Sequence, residues 1–296
     1  MRDAIDIHTH LDPDSFGPHS SQAARALDVV DMARRARNAG MRGFVIKQHY
    51  DQTAQLAYLA RKAVPDVEVF GMLCCNRTVG GLNPEAVHHF TEVIGGHARI
   101  VSMPTWDAEN SVRESRNPTR PAVPVAHDGV LLPETVALIE TIARAQIRDS
   151  SAKLALATGH ISAEEALLVI REARRQGIDR IVATHAIGPP INMSMAQMKE
   201  AAELGAYIEF VANFLSSGRT SLTARQYYDA IREIGPARVI LSSDGGQANR
   251  PFPDDLIAQA AYELQQLGMT GAELRAMMVD NPATLLSLPA RAERSA

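Results

Sequence analysis

Short β-rich runs and amphipathic helical stretches alternate eight times along this chain. That alternation limits the fold to strand-helix units built around a parallel sheet. Strand-like runs lie at 4–8, 42–47, 67–73, 98–103, 153–157, 180–184, 206–211 and 238–242. Helical periodicity fills 23–38, 53–64, 84–94, 133–148, 163–176, 195–204, 223–234 and 254–267. Gly40, Gly177, Gly205 and Gly235 each stand between a helix and the next strand, where a C-terminal glycine cap belongs. Eight units in 296 residues fit a closed α/β barrel of the (β/α)8 TIM type, which takes about 250 residues. A doubly wound open sheet calls for a glycine-rich phosphate turn after a strand, and Gly80-Gly81 is too short a match. The expected organisation is one barrel domain at 1–289, a lid-like insertion at 104–132 carrying Pro104, Pro118, Pro121 and Pro124, and a solvated tail at 290–296.

Charge and hydropathy narrow the partners. A net charge of −4 with scattered arginines leaves no basic stripe for nucleic acid. No apolar run reaches bilayer length, and the first strand starts almost at once, leaving no room for a signal sequence. A cytoplasmic protein acting on a small molecule is expected, with self-association left open. Cys74 and Cys75 are adjacent in an apolar stretch, where a bridge would be strained, so free buried thiols are expected.

Barrel chemistry gathers where strands end at their C-termini, and the histidines cluster there. The first strand ends in His8-Thr9-His10, whose side chains share a face because strand side chains alternate with period two. His160 ends the fifth unit, His185 the sixth, and Asp244 follows the eighth strand. Four imidazoles and one carboxylate form the nitrogen and oxygen set that divalent transition metals accept: zinc first, with manganese, iron, cobalt and nickel as alternatives.

With these residues the chain resembles the amidohydrolase superfamily, whose pattern is His-x-His on strand one, a histidine each on strands five and six, and an aspartate on strand eight. More narrowly, NRTVGGLNP at 76–84, MPTWDAEN at 103–110 and ATGH at 157–160 resemble the DUF6282 branch. The segment DNPATLL at 280–286 is similar to the superfamily's C-terminal helix. The resemblance implies one or two metal ions held by His8, His10, His160, His185 and Asp244, with Asp244 as general base. It also implies a bridging lysine or glutamate on strand four when two ions bind, yet Arg99-Ile100-Val101-Ser102-Met103 holds neither. Lys47, at the end of strand two, is the substitute: desolvated beside two cations it can react with carbon dioxide to give a bridging carbamate, or else serve as an ammonium that binds substrate.

The expected activity is metal-dependent hydrolysis of C–N or C–O bonds in a small molecule, with cyclic amides and lactones leading and Asp244 and His185 as catalytic groups. A metal-dependent decarboxylase is the runner-up, and a non-catalytic ligand-binding barrel is the reading from another class. Purine deamination is disfavoured because Gly159-His160-Ile161-Ser162 lacks the His-x-x-Glu arrangement. For substrate contact the candidates are His49, two residues beyond Lys47; Arg77 and Arg219, after the third and seventh strands; and Trp106, the single tryptophan, at the start of the insertion.

Overall fold

The computed structural model describes residues 1–15, 24–216 and 220–289; Arg219 and the tail at 290–296 lie outside them. All eight expected strands form: β1 (Ile5–Thr9), β2 (Gly43–Ile46), β3 (Glu68–Cys74), β4 (Ala98–Ser102), β7 (Ala155–Ala157), β8 (Ile181–Ala183), β9 (Tyr207–Val211) and β10 (Val239–Ser242). They make one parallel sheet in that order. A parallel bridge between Thr9 and Gly245 closes it, reinforced by the His10 N–H donating to the Gly245 carbonyl at 2.8 Å. The molecule is a (β/α)8 barrel.

Helices α1 (Val29–Asn38), α2 (Ala54–Ala63), α3 (Pro84–Thr91), α5 (Pro133–Arg144), α6 (Ala163–Arg175), α7 (Met195–Glu203), α9 (Ala224–Ile234) and α10 (Pro253–Gln266) alternate with the strands. Among the described residues, no helix is long and apolar enough to cross a membrane. Capping boxes start α6 (Ser162 with Glu165), α7 (Ser194 with Gln197) and α9 (Thr223 with Gln226), each satisfying two otherwise orphaned N–H groups. The four glycines expected to close helices all take positive φ, between 72° and 98°. Helix α1 starts later than its periodicity suggests, because the Asp28 side chain accepts from the N–H groups of Val30 and Asp31 and sets the cap there. Just before it, Arg25 pairs with Gln247 and Asp28 with Asp12 in isolated β-bridges.

Parallel strands covered on both faces need apolar side chains on both, and two clusters follow. Phe44, Ile46, Val69, Val101, Leu156, Ile208 and Leu241 pack outward with the helices. Ile5, Ile7, Val45, Phe70, Met72, Ile100, Val182 and Ile240 fill the interior with Ala283, Leu285 and Leu286 of the C-terminal segment. That segment includes α12 (Asn281–Leu285), and Asn281 ties it to the start of β10 by donating to the Val239 carbonyl at 2.7 Å. The insertion is less irregular than its prolines suggest. It holds the short helix α4 (Glu109–Arg113) and a hairpin of β5 (Ala126–His127) and β6 (Val130–Leu131).

Candidate metal centre

One local irregularity in β1 shapes the site. The pairing of β1 with β2 shifts register between Asp6 and Thr9, the mark of a β-bulge. Strict alternation would put Ile5 and Ile7 on the face opposite His8 and His10, yet Ile5 and Ile7 belong to the interior cluster while His8 and His10 line the interior pocket. The extra residue lets β1 supply barrel core below and imidazoles above. Asp6 staples the bulge: its Oδ1 accepts from the His8 N–H at 3.1 Å and the Ser243 N–H at 3.0 Å. Ser243 Oγ donates to the His8 carbonyl at 3.0 Å, locking β1 to the end of β10. Burial pushes the Asp6 carboxyl up to about 7.

At the C-terminal mouth of the barrel, Asp244 Oδ1 lies 3.1 Å from His10 Nε2 and 3.2 Å from His8 Nε2. The three ligand atoms fall within 4.8 Å of one another, all on buried residues. His160 and His185 line the same pocket with rings 5.0 Å apart. They stand beside the tight trio rather than in it. His8 is 5.9 Å from His185 and His10 is 5.1 Å from His49, which itself lies 5.8 Å from His160, so five imidazoles encircle the cavity.

The donors fit a cation. Burial lowers His10 to about 3 and His185 to about 4, and holds His49 and His160 well below the ordinary histidine range. All four are therefore neutral and can lend a lone pair. Burial opposes ionisation of Asp244, but the imidazoles of His8 and His10 outweigh it and keep this carboxylate far below its usual range. His10 Nδ1 and His185 Nδ1 are buried polar atoms without a hydrogen-bond partner, as expected where imidazoles are arranged for something other than hydrogen bonding. His185 and Asp244 also adopt positive φ, 25° and 48°, a backbone region non-glycine residues enter sparingly and often at functional sites.

Lys47, buried after β2, places Nζ 2.9 Å from His8 Nε2. His49 donates to or accepts from Thr105 Oγ1 through Nδ1 at 2.9 Å, and its ring lies 4.9 Å from that of Trp106. Trp106 is fixed from the insertion: Arg120 pairs with Asp107 at 2.5 Å and donates to the Trp106 carbonyl. Ser111 of α4 reaches His160 Nδ1 at 3.1 Å. The pocket measures about 100 Å³ and includes Pro189, Pro190, Phe214 and Gln247 besides these residues.

The structure thus brings His8, His10, Lys47, His49, Trp106, His160, His185 and Asp244 to one cavity. Arg77 is not there; it is exposed on a turn and contributes its backbone N–H to Asp107. The arginine lining the pocket among the described residues is Arg25, held to Asp14 at 2.5 Å. Sequence reasoning missed Arg25 because it precedes a helix start rather than following a strand. Asn76, at the head of the NRTVGG motif, was also missed. It donates to the His49 carbonyl at 2.5 Å and accepts from the Thr105 N–H at 2.9 Å, joining the loops after β2, β3 and β4. Glu209 was visible as a lone acid within the apolar run Tyr207-Ile208-Glu209-Phe210-Val211, a signal left unused. It is buried at 2 % exposure beneath His8.

Similar folds are found among solved structures at low sequence identity. An amidohydrolase from Pseudomonas aeruginosa has TM-score 0.63 and 13 % identity, covering 96 % of both chains. A zinc-bound amidohydrolase from Burkholderia multivorans has TM-score 0.62 and 14 % identity, covering 97 % of this chain and 99 % of its own. A putative 2-pyrone-4,6-dicarboxylic acid hydrolase from Pseudomonas putida has TM-score 0.58 and 14 % identity, covering 98 % and 100 %. No curated protein matches the sequence. The model of a family of unknown function, DUF6282, matches residues 3–209, and the chain belongs to that family.

Proposed function

We propose that this protein is a metal-dependent hydrolase that opens C–N or C–O bonds in a small molecule, a cyclic amide or a lactone. The observation that carries the reading is the convergence of His8 Nε2, His10 Nε2 and Asp244 Oδ1 at the C-terminal mouth of the barrel. The fold shared with a zinc-bound amidohydrolase supports it. His8, His10 and Asp244 would hold one divalent ion, zinc first and manganese, iron, cobalt or nickel as alternatives. His160 and His185 would hold a second, with Lys47 as a carbamate supplying a further ligand, or else His185 would face the substrate carbonyl while Lys47 stays an ammonium.

A divalent ion held there supplies a Lewis acid and a water of lowered pKa. The chain's own residues do the rest. Asp244, ionised among imidazoles, accepts a proton from the attacking water and returns it to the leaving nitrogen or oxygen. Water adds to the acyl carbon, the ring bond breaks, and a carboxylic acid with a free amine or hydroxyl results. Trp106 and His49, 4.9 Å apart, give a ring-shaped substrate a face to stack on. Pro189, Pro190 and Phe214 wall the cavity against bulk water.

The test is turnover of lactone and cyclic-amide panels by the zinc-loaded protein, read as acid release. A decarboxylase is the second reading, favoured by Arg25 and Lys47 in the pocket, which suit a substrate carboxylate. Release of carbon dioxide without a new acid would select it, and no turnover over all panels would favour a ligand-binding barrel.

A further inference from the structure

Glu209, in the middle of β9, has no task in the reaction proposed above. Its surroundings are nonetheless built around it. Oε1 lies 3.1 Å from His8 Nδ1 and accepts from Ser242 Oγ at 2.7 Å, while Oε2 accepts from the His185 backbone N–H at 2.8 Å. One carboxylate therefore joins β1, the end of β8 and β10, and with both oxygens engaged it cannot swing. We infer that Glu209 is a positioning residue that sets the proton of His8 on Nδ1 and holds the His185 backbone in its left-handed turn, so that His8 Nε2 offers a lone pair to the pocket.

A carboxylate only accepts, so the imidazole nitrogen facing it must carry the hydrogen. The other side of the ring agrees. Lys47 Nζ, 2.9 Å from His8 Nε2, is a pure donor as an ammonium and requires that nitrogen to accept. Asp244 Oδ1 is 3.2 Å from Nε2 as a charge contact, and the nitrogen with which it forms a hydrogen-bonding pair is His10 Nε2 at 3.1 Å. Partners of this kind, which fix ring orientation and tautomer, commonly carry 10- to 100-fold of metal affinity.

A glutamine cannot replace this acid. If its carbonyl faces His8 and Ser242, its NH2 meets the His185 N–H, donor against donor. If its carbonyl faces His185, its NH2 meets His8 Nδ1 and drives the proton to Nε2, where it blocks the lone pair. The inference rests on His8 being a metal ligand for its consequence, but the tautomer can be read without metal.

The experiment is long-range 1H–15N NMR of the full chain, chelator-treated, at pH 8, with His8→Gln assigning the His8 signals, and zinc competition against a chromophoric chelator. His8 protonated at Nδ1 in the wild type, a shift toward Nε2–H in Glu209→Gln, and zinc affinity about 10- to 100-fold weaker at unchanged far-UV dichroism are expected. Ser242→Ala, which leaves the carboxylate in place, should keep the tautomer. His8 protonated at Nε2 in the wild type, or a Glu209→Gln protein with unaltered tautomer, overturns the inference. If the variant does not fold, the wild-type spectrum still decides. If the wild type binds no zinc, the proposed function fails while the tautomer result stands on its own.

Discussion

Lys47 Nζ sits 2.9 Å from Nε2 of His8, so a lysine amine and a candidate ligand nitrogen meet inside a buried pocket. In the proposed two-ion site this amine would take the part that a strand-four lysine or glutamate plays in the resembling superfamily, since β4 offers neither.

Protein grown with zinc and bicarbonate is accordingly expected to contain two zinc ions per chain by plasma mass spectrometry, falling to one or none in Lys47→Ala. A single ion in both would make Lys47 a substrate contact and move the balance toward decarboxylation.

Asp244→Asn removes the proton acceptor but keeps an oxygen near His8 and His10. Its kcat/KM on any substrate found should drop by about 10²- to 10⁴-fold, with metal content measured in parallel. Activity within tenfold of the wild type and full metal occupancy would place the general base elsewhere.

Gly246 adopts φ +111°, and a Cβ there would lie 1.8 Å from the His10 carbonyl oxygen. Gly246→Ala must therefore displace backbone next to a candidate ligand. A loss of at least ~2 kcal/mol of stability is expected, visible in urea unfolding, together with weaker zinc binding. Gly177, whose φ is +86° with nothing within 4 Å of an added Cβ, is the control: alanine there should cost only ~1 kcal/mol of backbone strain and leave zinc binding intact.

Cys74 and Cys75 are free and buried. Burial pushes the Cys74 thiol up to about 11 and that of Cys75 further. A raised thiol pKa means the reactive thiolate is scarce below that pH. Neither cysteine should react with Ellman's reagent in the native protein at pH 8, and both should after unfolding. Fast native labelling at pH 8 would show that this stretch opens locally.

The barrel was legible because its signal is repeated. Eight apolar runs and eight helical periodicities report burial on two faces of a parallel sheet, and the glycines after helices mark positive φ that other residues resist. The gathering of polar side chains in one pocket was legible for a related reason: polar residues at the ends of apolar strands, as in Ile181-Val182-Ala183-Thr184-His185, sit at the barrel mouth. Arg77 misled because position after a strand does not say which way a loop turns, and the loop after β3 turns its arginine outward.

The sequence by itself determined the strand-helix alternation, hence the closed barrel, and the mouth at which His8, His10, His160, His185 and Asp244 gather. These follow from local periodicity and from burial, which every residue in a run expresses. Tertiary structure alone decided the bulge that turns both Ile7 and His8 inward, the pairing of Lys47 with His8, and the clasp of Glu209 across three strands. Each depends on register between segments distant in sequence, Glu209 and His8 being 201 residues apart. Such register is set when the barrel closes and is written in no single segment.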